Sequence, residues 1–192
     1  MLSEKLKKET LESHQALEKV LIQKIKSVNT LEDYSEILNW FYNFYSPIES
    51  QVDQYISENI LNDYSQRRKS ASLAHDIISV NGTLPENPRQ TGVQIENVYD
   101  ALGALYVMEG STIGGSIISK MISDRLGLQN KEFLTYFNSY GENTMSMWKS
   151  FKESLDQFPA TGEQQLRVVK SANNTFKHFK LLITQHEQQN QL

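Results

Sequence analysis

The chain has no cysteine among its 192 residues. Disulfides, thiolate nucleophiles, iron–sulfur clusters and cysteine-ligated zinc are therefore excluded. Proline is scarce, with four residues, and two of them, Pro85 and Pro88, fall in one short stretch. An excess of positive charge is also missing: 19 Lys and Arg stand against 23 Asp and Glu, for a net charge of −4. That balance speaks against nucleic acid as a partner, because such proteins present a basic surface. The first ten residues are charged throughout and hold no apolar leader core. No unbroken run approaches the roughly 20 apolar residues that a bilayer span needs. A soluble, cytoplasmic protein that does not engage membranes is the expectation.

What is present is enough for a packed interior. Hydrophobic residues make up 39% of the chain and aromatics 10%, which separates it from disordered sequences. The length fits one domain, and 1–192 is expected to form a single compact unit with a frayed tail over 183–192. Period-2 alternation is absent over any useful length, whereas apolar residues recur at helical spacing. The pattern predicts an all-α fold. The first helix is expected from a cap at Ser3 to the break at Asn29 and Thr30. Further helices are predicted over 31–45, from Pro47 to about 60, over 67–79, over a long apolar segment 93–126, over 131–136, over 141–155 and over 162–188. The clearest loop is 81–92, with Gly82, Pro85, Pro88 and Gly92.

Two features could carry chemistry. His14 follows Leu11 and precedes Leu17 on the apolar stripe of the first helix, where a neutral imidazole can bind a metal. Glu18, four residues on, shares its face and could hold the second ring nitrogen as carboxylates behind metal-bound histidines do. Lys7 lies two turns back, about 10 Å along the axis. Taken alone, these residues fit a half-buried histidine beside a solvated salt bridge better than a ligand set. The second feature is Gly103, Gly110, Gly114 and Gly115, four of the nine glycines in one apolar helical segment. Glycine inside a helix costs about 1 kcal/mol relative to alanine. The bared backbone admits either a flat ligand or a second helix, and both readings stand. The segment lacks the Lys-Ser/Thr ending of a phosphate loop, and its length and polarity speak against a membrane dimer of the GxxxG kind. His75, His178 and His186 show no ligand spacing. Lys149 and Lys152 read as a solvated face, the aromatic run from Trp40 to Tyr45 as core, and Phe176 with Phe179 as core or pocket lining.

Three separated segments resemble the heme oxygenase family, in its bacterial, biliverdin-forming branch. The first is Leu2-Ser3-Glu4 through Thr10-Leu11-Glu12-Ser13-His14 with Glu18, which looks like the family's proximal helix. The second, Tyr106 through Gly115, looks like its distal helix. The third is Tyr140-Gly141, Met147-Trp148-Lys149-Ser150-Phe151, then Ala172 through Phe176 and Phe179. The likeness runs from about residue 2 to 182 and implies a compact all-α fold with heme between the two helices. It implies His14 as the iron ligand, with Glu18 as its partner. Gly110, Gly114 and Gly115 become the distal wall, Phe176 a pocket residue, and Lys7 with Lys149 or Lys152 the propionate partners. It also implies heme as substrate and cofactor, O2 as co-substrate, and electrons from an outside donor such as a ferredoxin, a flavodoxin or a reductase. One position departs from the pattern. Many family members carry an aspartate after the first distal glycine; here it is Ser111, which with Gly110 is then the candidate for arranging the proton supply. A heme-binding or storage protein on the same scaffold is the alternative that this departure supports. A thiaminase-like helical enzyme lacks the cysteine it would usually need.

Overall fold

A computed structural model describes residues 1–86, 91–128 and 132–189, with the side chains of 186–189 excepted. Seven α-helices carry the chain: α1 (Leu2–Glu9), α2 (Leu11–Ser27), α3 (Leu31–Val52), α4 (Ala71–Ser79), α5 (Val98–Leu126), α6 (Thr144–Gln157) and α7 (Gly162–Gln189). Short 3-10 turns at Tyr64–Gln66 and Gly141–Asn143 complete the set, and the described residues contain no strand. The all-α expectation holds.

The expected first helix is two. Thr10 divides α1 from α2, and its hydroxyl donates to the Leu6 carbonyl at 2.8 Å. Ser3 does not cap α1. Its N–H and hydroxyl both donate to Asp156, at 2.7 and 2.6 Å, and so tie α1 to α6. The expected break before Pro47 is also absent, because α3 runs through it. A proline there removes one backbone donor, while the same buried face continues through Tyr34, Ile37, Leu38, Phe41, Phe44, Tyr45, Ile48 and Val52. Packing along that stripe outweighs the missing bond. A capping box at Thr30 and Asp33 starts the helix.

Residues 132–140 form turns rather than the expected helix, and Lys131 lies outside the described residues. Buried Asp76 explains the turns. Its carboxylate accepts the N–H of Thr135 at 3.2 Å and of Tyr136 at 2.9 Å, along with the Thr135 hydroxyl. The expected tail also differs: Ile183 is fully buried and α7 continues to Gln189.

One contiguous core joins all seven helices. Central to it is α5, which packs on α7, α3 and α6. By length and composition α5 could cross a membrane, contrary to the expectation that no such segment exists, but 61% of that apolar stretch is buried inside the fold. Most of its apolar residues from Ala101 to Met108 are buried against other helices, while Ile113 and Ile117 are exposed.

Candidate functional site

A cavity of about 560 Å³ opens between α1–α2 on one side and α5 on the other, with α6 and α7 closing its ends. Sites for small organic ligands span about 300–1,000 Å³ and are mostly apolar with a few placed polar groups. This one fits that description. Leu17, Leu21, Ile25, Phe41, Val107, Ile118, Met121 and Phe179 supply apolar walls. At its mouth Leu11, Ile113 and Ile117 are 51%, 37% and 64% exposed, so large aliphatic side chains face each other across open space. Paired exposed apolar surfaces of this kind mark a binding site.

The polar groups are few. His14 projects from α2 into the open cavity and is exposed. Its ring meets Phe176 of α7 edge-on, with centroids 5.5 Å apart and planes at 66°. Among the described residues no hydrogen bond involves the ring, so neither nitrogen is committed to a protein acceptor there. Glu18 lines the same cavity one turn on but makes no hydrogen bond to His14. The expected imidazole–carboxylate pair is therefore not formed; packing against Phe176 orients the ring instead.

The four glycines divide between the two readings left open by the sequence. A Cβ on Gly103 would sit 2.4 Å from the Val168 carbonyl oxygen of α7, and one on Gly115 would sit 2.3 Å from that of Phe137. Those two permit close packing. Gly115 is buried, and it is not part of the cavity wall as expected. Gly110 and Gly114 do line the cavity. A Cβ on Gly114 would meet nothing within 4 Å, and one on Gly110 would meet only the Trp148 ring, at 3.6 Å. The backbone of α5 is bare to the cavity at these two positions, one turn apart.

At the rim, Lys7 and Lys152 line the cavity and Lys149 does not. Lys149 points to solvent, 74% exposed, with Glu153 3.7 Å away. Lys152 lies on the Trp148 side of α6, its Nζ 5.8 Å from that ring's centre. The basic side chain that α6 brings to the cavity is thus Lys152, because Lys149 falls on another face. Two cations beside an apolar slot suit a flat ligand with anionic substituents.

Behind Gly110 and Ser111 lies a polar cluster that the sequence did not announce. Ser111 donates to the Met108 carbonyl at 2.7 Å. Arg68 Nη2 donates to both the Ser111 hydroxyl and the Met108 carbonyl, each at 2.6 Å, and the guanidinium lies 4.0 Å over the Tyr136 ring. Buried Arg67 pairs with buried Glu109 at 2.8 Å and with Asp63 at 2.6 Å. Tyr140 donates to Glu109 at 3.1 Å and accepts the Arg68 N–H at 2.7 Å. Tyr45 lines the cavity beside Ser111; burial pushes its phenol up to about 12, against the pull of Arg68 and Ser111. Trp40, Phe41, Phe44 and Tyr45 are core as expected, and Phe41 and Tyr45 also line the cavity from α3. Nothing local in the sequence marks Arg68.

The remaining histidines stay apart. His75 is exposed beside Asp76, at 3.4 Å; His178 packs under Gly92; the His186 side chain lies outside the described residues. No group of three metal-ligating side chains of the His, Cys, Asp or Glu kind occurs among the described residues. A second hollow, about 430 Å³, lies between α3 and residues 80–83, lined by Glu32, Ser35, Asn39 and Asn43 among others, and no histidine reaches it.

Comparisons with known proteins bear on the larger cavity. The family model described as heme oxygenase matches residues 1–185. A heme oxygenase of Xanthomonas campestris pv. campestris is 24% identical over 151 residues, spanning 77% of this chain and 87% of that protein. The heme oxygenase PigA of Pseudomonas aeruginosa is 22% identical over 177 residues, spanning 92% and 88%. Among solved structures, heme oxygenase from Leptospira interrogans superposes with a TM-score of 0.75 at 18% identity, covering 96% of this chain and 98% of that one. Heme oxygenase-1 of Synechocystis sp. PCC6803, in complex with heme, also gives 0.75 at 18%, covering 98% and 93%.

Proposed function

The chain belongs to the heme oxygenase family, whose members are oxidoreductases that degrade heme to biliverdin, and we propose that it does so in the cavity between α1–α2 and α5, with His14 as the iron ligand. The observation that carries this assignment is the opposition of an uncommitted imidazole on one wall and bare backbone at Gly110 and Gly114 on the other. A planar macrocycle with a metal at its centre would use both: the His14 nitrogen to hold the metal and the side-chain-free backbone at Gly110 and Gly114 to pack against the ring.

The residues present fit heme. Phe176 fixes the His14 ring edge-on. Leu11, Ile113 and Ile117 lose their exposure once the slot is filled, and burying such apolar area stabilises by about 25 cal/mol per Å². Lys7 and Lys152 meet the propionates at the rim. Glu18 stays close enough on the helix face to take up the free ring nitrogen through water.

Heme supplies the iron that binds O2 and the ring carbon that is oxidised, releasing carbon monoxide and iron with biliverdin. The protein's part is to bind, orient and exclude water. A neutral histidine ligand avoids the electron push of a thiolate, which favours O–O cleavage. Gly110 and Gly114 would let the α5 backbone lie close against the bound macrocycle, since no side chain stands between them and the cavity. Electrons come from an external donor, a ferredoxin, a flavodoxin or a reductase, since the chain has no cysteine to hold a cluster of its own. We place this chemistry in the cytoplasm, where such reduced carriers are available. The single contiguous core supports reading the chain as one domain.

The test is turnover. Protein loaded with heme without oxygen, then given O2 and a reductant, is expected to lose the heme absorption and gain that of biliverdin. A heme spectrum that persists through this treatment contradicts the assignment.

A further inference from the structure

Resting on the reading of His14 as the iron ligand, we propose that Asn173 of α7 is the positioning residue for that ligand. Its one amide side chain bridges the break between α1 and α2, and so fixes where the imidazole stands relative to the rest of the cavity wall.

The helices that form this wall are not one rod. The break at Thr10 leaves Ser3, Glu4 and Lys7 on α1 and His14, Leu17 and Glu18 on α2, all lining the cavity. A ring that meets both His14 and Lys7 therefore depends on the angle between two separate helices. An unbroken helix would set that angle through its own ladder, the carbonyl of residue 9 to the N–H of residue 13. Here the link between those two residues comes from outside. Asn173 Nδ2 donates to the Glu9 carbonyl at 3.1 Å, and Asn173 Oδ1 accepts the Ser13 hydroxyl at 2.6 Å. Glu9 is the last residue of α1, where carbonyls have no partner within the helix. Ser13 immediately precedes His14.

An amide suits this task, because it carries both donors and an acceptor. Asn173 Nδ2 also donates to the Val169 carbonyl at 3.2 Å, one turn back on α7. The side chain is thus held by its own helix while it reaches the other two. The neighbouring ties do not span the break. Thr10 bonds back to Leu6 within α1, and Ser3 holds the far end of α1 to Asp156 of α6. Among the described residues, Asn173 is the one side chain hydrogen-bonded on both sides of the break. Phe176 follows three residues later, on the same face of α7, and meets the His14 ring edge-on. The first turn of α2 is therefore gripped twice by α7, at Ser13 through Asn173 and at the imidazole through Phe176. Asn173 and Ser13 are both half-buried, so water competes less for their bond than it would at an open surface.

A clamp that only stabilises the fold and one that also places the ligand are separable by spectroscopy. In the reduced heme complex, the iron–histidine stretch seen by resonance Raman follows the tilt and strain of the imidazole. Asn173→Ala removes both bonds across the break. Ser13→Ala removes one and leaves Glu9 held. The band is expected to shift and broaden in Asn173→Ala, and to shift less in Ser13→Ala. The biliverdin isomer ratio is expected to change in Asn173→Ala, because Lys7 then moves relative to His14. In the heme-free protein, hydrogen exchange at the amides of residues 11–14 is expected to rise severalfold in Asn173→Ala, with circular dichroism reporting an intact helical fold. A lowered melting temperature with an unchanged band in both variants overturns the proposal and leaves Asn173 a structural clamp. Should Asn173→Ala fail to fold, Ser13→Ala decides alone, and an unchanged band there overturns the proposal. A wild-type chain that takes up no heme overturns the functional reading itself, and this inference with it.

Discussion

The His14 imidazole stands edge-on to the Phe176 ring, 5.5 Å between centroids and 66° between planes. One residue comes from α2 and the other from α7, so the orientation of the candidate ligand is set by how those helices pack. Edge-to-face aromatic pairs contribute about 0.5–1.5 kcal/mol beyond their buried area. Phe176→Leu is expected to keep heme binding but broaden the ligand's orientation, seen as a mixture of heme spectra. A single unchanged spectrum would assign the orientation to another group.

The glycines of α5 should separate by role. Gly114→Leu places its side chain in open space and is expected to leave the apoprotein folded with an unchanged melting temperature while heme uptake is lost. Gly115→Ala drives a Cβ to 2.3 Å from the Phe137 carbonyl and is expected to lower stability by about 1–3 kcal/mol, the usual cost of overpacking. Thermal melts and heme titrations of the two variants check this. Normal heme affinity in Gly114→Leu would return that glycine to the packing reading.

Charge reversal at the rim should follow the cavity rather than the lysine pair read from the sequence. Lys7→Glu and Lys152→Glu are each expected to weaken heme binding by no more than about fivefold, as partly solvated ion pairs do. Their larger effect is on how the propionates lie, and so on which biliverdin isomer forms. Lys149→Glu is expected to leave the isomer ratio as it is. Chromatography of the products decides; an effect of Lys149 equal to that of Lys152 would contradict the placement.

Removing Glu109 strands Arg67 with one carboxylate in place of two. Breaking a buried pair from one side costs about 3–5 kcal/mol, and Asp63 compensates in part, so Glu109→Ala is expected to cost about 3 kcal/mol in denaturant unfolding. Because Glu109 immediately precedes Gly110, heme affinity should fall with it. A loss under 1 kcal/mol would show the pair to be replaceable by solvent.

Ser111→Ala removes a hydroxyl whose proton is held by Met108, while Arg68 keeps the Met108 carbonyl and the Tyr136 face. Biliverdin formation is expected to slow by less than about tenfold, below 1.4 kcal/mol of activation free energy. A hundredfold loss would make Ser111 itself the proton-handling group.

The helical class and most of the long elements were legible, because apolar periodicity and caps act locally. Pro47 misled because a proline removes one local bond, while the buried stripe that carries α3 past it is a tertiary fact. Residues 132–140 misled for a similar reason: Asp76, some sixty positions earlier, takes their backbone donors. His14, Gly110, Gly114 and Phe176, singled out from spacing and resemblance, line one cavity. The orientation of Gly115 and Lys149 was not legible, since a turn of 100° moves a residue from cavity to packing or to solvent. Arg68 left no trace in its own segment; it reaches the site from the loop before α4, and only the fold brings it to Ser111.

The most direct test of the account is the heme complex of His14→Ala. With His14 as the iron ligand, the variant should bind heme weakly with an altered spectrum and form no biliverdin, and added imidazole should restore the wild-type spectrum by filling the vacated position beside Phe176. A variant that keeps the wild-type heme spectrum without imidazole would contradict the account.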